Sequence, residues 1–204
     1  SRQVLVEGIE QAGPEVHAMW KHALEVLLRY RGTQRIKKIL LLGLGGGGEL
    51  KMISRSFPEA SLTVVEHDPE MIALAKELKL YAPYSFPTMI CDDAKHALKN
   101  LQGEFDVIVV DLFRGEVPSP LSTDSEFLRS VHELLSPQGY LLVNVYKNKE
   151  IFTSIRTAFH SLREWLFGWN YVGLFQRKTV EECAVSGYRP LRQWPDLNTF
   201  ESIP

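Results

Sequence analysis

The residues Lys38-Ile-Leu-Leu-Leu-Gly-Leu-Gly-Gly-Gly-Gly-Glu49 constrain the fold of this chain more than any other stretch. An apolar run enters a cluster of five glycines, and an amphipathic segment follows at once. That order reads as a buried parallel strand, a tight turn and a helix start. Glycine suits such a turn because a side chain would hold the backbone away from a ligand, and because some turn positions need positive φ. Free N–H groups at the helix start then favour a polar or anionic ligand group.

Two fingerprints overlap in this run. Gly43, Gly45 and Gly48 satisfy the GxGxxG of dinucleotide-binding domains, whereas Gly43, Gly45 and Gly47 satisfy the GxGxG of S-adenosylmethionine-binding domains. The next apolar segment narrows the field. Leu62-Thr-Val-Val65 ends at Glu66, 23 residues after Gly43, where a strand-tip carboxylate can accept hydrogen bonds from the ribose hydroxyls of an adenosyl cofactor.

From residue 38 the chain alternates strand and helix, the pattern of a parallel sheet covered on both faces. Strands are predicted at 38–42, 62–66, 88–90, 105–110 and 140–145, with helices at 48–57, 69–79, 93–101, 124–135 and 149–166. A closing hairpin is expected from Tyr171–Phe175 and Glu182–Ser186. The fold class is therefore α/β, a Rossmann-like, seven-stranded, mostly parallel sheet with an antiparallel C-terminal hairpin. Ahead of it, residues 1–13 read as a short strand or arm. Pro14 to Tyr30 reads as a helix with Val16, Met19, Trp20, Ala23, Leu24, Leu27 and Leu28 on one apolar face. Residues 1–37 then form an N-terminal arm and helix packed on a core domain of 38–204. The stretch 111–123, containing Pro118 and Pro120, is long for a connection and lies where ligands usually bind a parallel sheet.

Composition excludes several classes. The net charge of −2 and scattered basic residues argue against a nucleic-acid binder, and Arg35, Lys37 and Lys38 read as a solvated edge. No window reaches the ~18 apolar residues of a membrane span, so no membrane association is expected and a cytoplasmic location follows by default. Two cysteines and six dispersed histidines predict neither a disulfide framework nor a metal centre.

At this point the chain resembles the class I S-adenosylmethionine-dependent methyltransferase superfamily, and within it the spermidine synthase-like branch. The resemblance covers roughly 39–145. It rests on the glycine loop, Val65-Glu66-His67-Asp68-Pro69, Cys91-Asp92-Asp93-Ala94, Phe105-Asp-Val-Ile-Val-Val-Asp111 and Leu134-Leu-Ser-Pro-Gln-Gly139. It implies S-adenosylmethionine as cofactor, with contacts from Gly43, Leu44, Gly45, Gly47, Glu66, His67, Asp92, Asp93, Ala94 and Asp111. Asp92, just past the third strand, can accept the adenine amino hydrogens, although capping of the helix that begins at Asp93 or Ala94 is its alternative role. A nicotinamide cofactor explains Gly43 and Glu66 equally well but not Asp92 together with Asp111.

Departures from the branch bear on the reaction. Polyamine synthases carry Asp-x-x-Asp after the fourth strand, whereas this chain has Asp111-Leu-Phe-Arg114. A guanidinium near a diamine is unfavourable, since two unit charges ~4 Å apart repel by on the order of 4 kcal/mol near a protein surface. The loop aspartate of the branch is Gly46, and its Tyr-His-Glu-Met segment is Val16-His-Ala-Met19. A methyltransferase with Asp111 as the catalytic residue is the leading expectation, with Glu116 a weaker candidate. Its acceptor is unidentified and expected to be a small molecule, and a homodimer is compatible with the sequence. The alternatives are a polyamine aminopropyltransferase and a non-catalytic, cofactor-binding interaction module.

Overall fold

The computed structural model describes residues 4–6, 9–44, 47–81, 87–113 and 124–185. A two-stranded antiparallel ladder, β1 (Val4–Val6) and β2 (Ile9–Ala12), precedes helix α1 (Pro14–Arg31). Pro14 opens α1 at a position where its missing N–H costs nothing, and Gly32 closes it at φ +54°.

The central sheet then builds in strand–helix alternation. Its elements are β3 (Lys38–Leu42), α2 (Gly48–Ser56), β4 (Ser61–Glu66), α3 (Pro69–Glu77), β5 (Thr88–Cys91), α4 (Ala94–Asn100), β6 (Phe105–Val110), α5 (Ser125–Leu134) and β7 (Leu135–Tyr146). The strand order is β5-β4-β3-β6-β7, all parallel, followed by β9 (Asn170–Arg177) antiparallel to β7, with β8 (Phe159–Phe167) on the outer edge. The chain steps outward from β3 through β4 to β5, then returns to place β6 on the other side of β3. Crossovers therefore diverge between β3 and β6, and a crevice opens at their carboxyl ends.

Period-two alternation explains how one sheet makes two cores. Ile39 and Leu41 of β3, with Val107 and Val109 of β6, pack under α1 and α2. Leu40 and Leu42, with Ile108 and Val110, face the opposite way, against α4, α5 and α6 (Ile151–Ala158). Residues 39–42 are thus fully buried whichever way they point. Truncating Leu41 to Ala would cost about 2–5 kcal/mol through lost burial and the cavity left behind. Both faces of β3 are consumed by packing, so only its carboxyl end is free to meet a ligand.

The helix starts follow local chemistry. Asp68 accepts from the Glu70 N–H (2.8 Å) ahead of Pro69, and Asp124 accepts from the N–H groups of Glu126 (2.9 Å) and Phe127 (3.1 Å). Arg35, Lys37 and Lys38 are exposed, as expected of a solvated edge. Among the described residues no helix is long and apolar enough to cross a membrane.

The C-terminal region corrects two expectations. The predicted helix 149–166 is α6, ending at Ala158, followed directly by β8. Leu162, Trp165 and Leu166 have helical spacing, but β9 needs an outer partner, and pairing with it overrides that local preference. The irregular register between Ser161 and Arg163 disguised the strand alternation. The predicted strand 182–186 is instead helix α7 (Val180–Val185), with Ser186 outside the described residues. A capping box starts it: the Thr179 N–H donates to Glu182 Oε2 (2.8 Å), and the Glu182 N–H donates to Thr179 Oγ1 (3.3 Å). The closing hairpin exists, but it is β8 with β9. At its turn Trp169 is 67% exposed with the Lys147 ammonium 5.5 Å from its ring, while Trp165 is half-buried against His22.

Candidate active site

Gly43 is where β3 stops and the crevice begins. It sits at φ +88°, and a Cβ there would lie 2.1 Å from the carbonyl oxygen of Asp111. The glycine therefore lets the ends of β3 and β6 close on each other, tied by the Asp111 N–H donating to Leu42 O (2.9 Å). Gly47, at φ +72°, is the N-cap of α2, and a Cβ there would strike Leu80. Gly45 and Gly46 lie outside the described residues.

Glu66 is the hub of the loop. It is 6% exposed at the end of β4, and its Oε2 accepts the Leu44 N–H at 2.8 Å. Its Oε1 accepts the Asp68 N–H (2.9 Å) and lies 2.8 Å from His67 Nδ1. A carboxylate has about four lone-pair sites, so capacity remains on Oε2 for a ligand hydroxyl. His67 is half-exposed beside it and buttresses the carboxylate.

Asp92 and Asp93 divide the roles that the sequence left open. Asp93 caps α4, accepting from the Lys95 (2.9 Å) and His96 (3.4 Å) N–H groups, and Ala94 is the buried first helical residue. Asp92 is thereby not the cap. Its Oδ2 lies 2.6 Å from His96 Nδ1, and its side chain keeps 30% exposure at the tip of β5. Its backbone N–H, bonded to Glu66 O at 3.0 Å, locks the β4 and β5 tips side by side.

Asp111, at the end of β6, is 8% exposed. Asn144 of β7 donates from Nδ2 to its Oδ1 at 3.0 Å. The indole N–H of Trp20, from α1, acts on the same carboxylate without completing a hydrogen bond. Burial pushes the Asp111 carboxyl up to about 6; the Glu66 charge adds to the rise, while Asn144 and Trp20 oppose it.

Glu49 completes the cluster. It stands in the first turn of α2 at 0% exposure, and among the described residues neither carboxylate oxygen completes a hydrogen bond, although its own backbone N–H acts on the carboxyl. Burial, then the charges of Asp111 and Glu66, hold it well above the usual carboxylate range.

Sequence reasoning located Glu66, Asp92 and Asp111 at three strand tips. It missed Glu49, Asn144 and Trp20. The signals were present: Glu49 precedes Met52 and Ile53 by three and four residues on the apolar face of its helix, and Asn144 interrupts the run Leu141-Leu-Val-Asn-Val145. Arg114, Glu116, Pro118 and Pro120 fall outside the described residues, and with them most of the long stretch 111–123.

The electrostatics select among ligands. A dinucleotide sets its pyrophosphate against the start of the helix after the glycine loop. Here that turn carries a buried carboxyl, with two more carboxyls beside it, so an anion is repelled. A cationic, nucleoside-bearing ligand fits: Glu66 and Asp92 suit a ribose and an adenine, and Glu49 and Asn144 Oδ1 are buried with no hydrogen-bond partner among the described residues. S-adenosylmethionine, a sulfonium that also carries an ammonium, has that form.

Fold and site together define a class, and comparison with known proteins agrees. Residues 39–139 match a family described as a methyltransferase domain. The structure of human Methyltransferase-like protein 13 in complex with SAH superposes with a TM-score of 0.65 at 20% identity, covering 92% of this chain and 98% of that one. These matches support the class I S-adenosylmethionine-dependent methyltransferase superfamily as the group this chain is similar to. Its curated relatives include the polyamine aminopropyltransferase of Chromobacterium violaceum, 30% identical across 82% of this chain and 61% of the relative. The eEF1A lysine and N-terminal methyltransferase homolog of Drosophila melanogaster is 28% identical across 59% of this chain and 19% of the relative. The chain spans less than two thirds of the length of either relative.

Proposed function

We propose that this protein is an S-adenosylmethionine-dependent methyltransferase acting on an amine nitrogen, carried in the first instance by a small molecule. One observation carries the reading: a buried carboxyl, Asp111, oriented by Asn144 and raised to about 6, at the carboxyl end of the strand beside the glycine loop. Such a group is a stronger base than an ordinary carboxylate and can align an amine by accepting its N–H. The relatives' names, polyamine aminopropyltransferase and lysine and N-terminal methyltransferase, share an amine acceptor and support this choice.

S-adenosylmethionine supplies an electrophilic methyl group on a sulfonium, so the protein has little covalent chemistry to perform. Gly43 and Gly47 admit the ligand backbone, and Glu66 and Asp92 fix the nucleoside. Asp111 would hold the attacking nitrogen by an N–H and take up the proton released as the N–C bond forms and the methyl's S–C bond breaks, the neutral thioether being the leaving group. Asn144 keeps Asp111 aimed. Holding the nucleophile in line within a dry site is the larger part of the acceleration.

Aminopropyl transfer to a diamine is the competing reading and is favoured by the polyamine aminopropyltransferase relatives. Arg114 stands against it. The test is incubation with methyl-labelled S-adenosylmethionine and a panel of polyamines and lysine peptides, beside decarboxylated S-adenosylmethionine with putrescine. Label on an amine product is expected. Spermidine formation without methyl transfer would reverse the assignment.

A further inference from the structure

We propose that the acceptor carries a carboxylate at the end remote from its reacting amine, and that Lys147, held over the rings of Tyr146 and Trp169, receives it. The acceptor is then a small ω-amino acid rather than a diamine. This rests on the amine reading above and names its substrate class.

Strand β7 links the two places. Asn144, which donates to Asp111, and Tyr146 are two residues apart and so share one face of the strand. Lys147 follows as the strand ends, at φ +54°, a left-handed backbone that an L side chain adopts only at a cost. Its N–H donates to Trp169 O (2.9 Å), tying it to the turn between β8 and β9. Tyr146 pairs with Asn170 at the start of antiparallel β9, so that turn lies at the same carboxyl edge of the sheet as Asp111. The Lys147 ammonium rests 4.8 Å from the Tyr146 ring centroid and 5.5 Å from that of Trp169. At ~3.3 Å per residue, Lys147 stands about 10 Å beyond Asn144, roughly the span of an extended six-carbon amino acid.

The bound cation decides the class. Both rings already serve the Lys147 ammonium, so a second ammonium arriving here meets a like charge instead of a free aromatic face. A diamine brings that second ammonium at its far end. A carboxylate instead gains a charge-assisted hydrogen bond from a group with three donors. Trp169 keeps most of its ring exposed, which leaves apolar surface to cover the methylene chain between the two charged ends. One short chain reaches from buried Asp111 to exposed Lys147, and no polypeptide backbone is needed to present both groups.

The experiment measures kcat/KM with methyl-labelled S-adenosylmethionine for 6-aminohexanoate and for cadaverine, which replaces the carboxylate by a second amine. The wild-type protein is expected to favour 6-aminohexanoate about fivefold, the upper size of one exposed ion pair, and the preference should shrink as salt is raised. Lys147→Gln should remove the preference, Lys147→Arg should restore it, and Lys147→Glu should turn it toward cadaverine. Equal kcat/KM for the two amines in the wild-type protein, or a preference that survives Lys147→Gln, would overturn the proposal. So would a peptide pairing lysine with glutamate that is methylated well ahead of 6-aminohexanoate, which moves the carboxylate to a polypeptide. If none of these amines is methylated, the amine reading itself falls and the proposal with it. Methylation without a carboxylate preference sinks the proposal alone.

Discussion

Replacing Asp111 by Asn should make the cofactor-free protein more stable while disabling it. In the folded chain burial raises the Asp111 carboxyl from 3.8 to about 6. The folded state therefore binds more protons than the unfolded state between these values, and stability falls as pH rises through that window. At 1.36 kcal/mol per unit, the ionised carboxylate costs the fold about 3 kcal/mol at pH 8 and about half of that at pH 5. Asparagine has the shape of the protonated acid and can still accept the Asn144 Nδ2 hydrogen, so it escapes the charge penalty without opening a cavity. Urea denaturation of both proteins from pH 5 to pH 8 reads the effect directly. The midpoint difference should favour Asp111→Asn and grow with pH. Turnover of an identified amine should fall by about 10²-fold or more, the usual contribution of a general base. A variant less stable at pH 8, or a stability gain that does not change with pH, would refute the account of Asp111 as a strained, buried base.

Three further outcomes follow from the same geometry. Glu66→Ala removes the acceptor for the Leu44 and Asp68 N–H groups and should weaken S-adenosylhomocysteine by about 1.5–3 kcal/mol, measured by calorimetry; unchanged affinity would remove Glu66 from the cofactor site. Gly43→Ala sets a Cβ 2.1 Å from Asp111 O at φ +88°, and thermal unfolding should show a loss of several kcal/mol, at the severe end for a single substitution. Asn144→Ala deletes the hydrogen bond that favours ionised Asp111, so the carboxyl should rise further and the acidic limb of the pH–rate profile should move to higher pH; a limb that stays in place would mean Asp111 is not the titrating base.

Much of this protein is decided locally and so is written in the sequence. Ile39–Leu42 is apolar on both faces, which marks a central parallel strand, and the glycines after it fix the turn. Glu66, Asp92 and Asp111 each follow an apolar run, and since parallel strands share one direction, three such ends must gather at one edge of the sheet. Helix caps such as Asp68-Pro69 are equally local. Pattern failed where the partner, not the residue, sets the outcome. Residues 159–167 have helical spacing but become a strand because β9 would otherwise be an open edge. The site shows the same limit. Trp20, Glu49 and Asn144 come from a helix ahead of the sheet, the first turn of α2 and a strand far along the chain. Trp20 looks locally like ordinary core, and Glu49 and Asn144 stand out only as polar residues at apolar positions, which does not say what they meet. Only packing brings them together at Asp111, and only enclosure turns Glu49 from a helix-start carboxylate into a buried acid whose oxygens complete no hydrogen bond among the described residues. Proton affinity depends on surrounding dielectric and neighbouring charge, quantities that the sequence does not carry and the folded structure does.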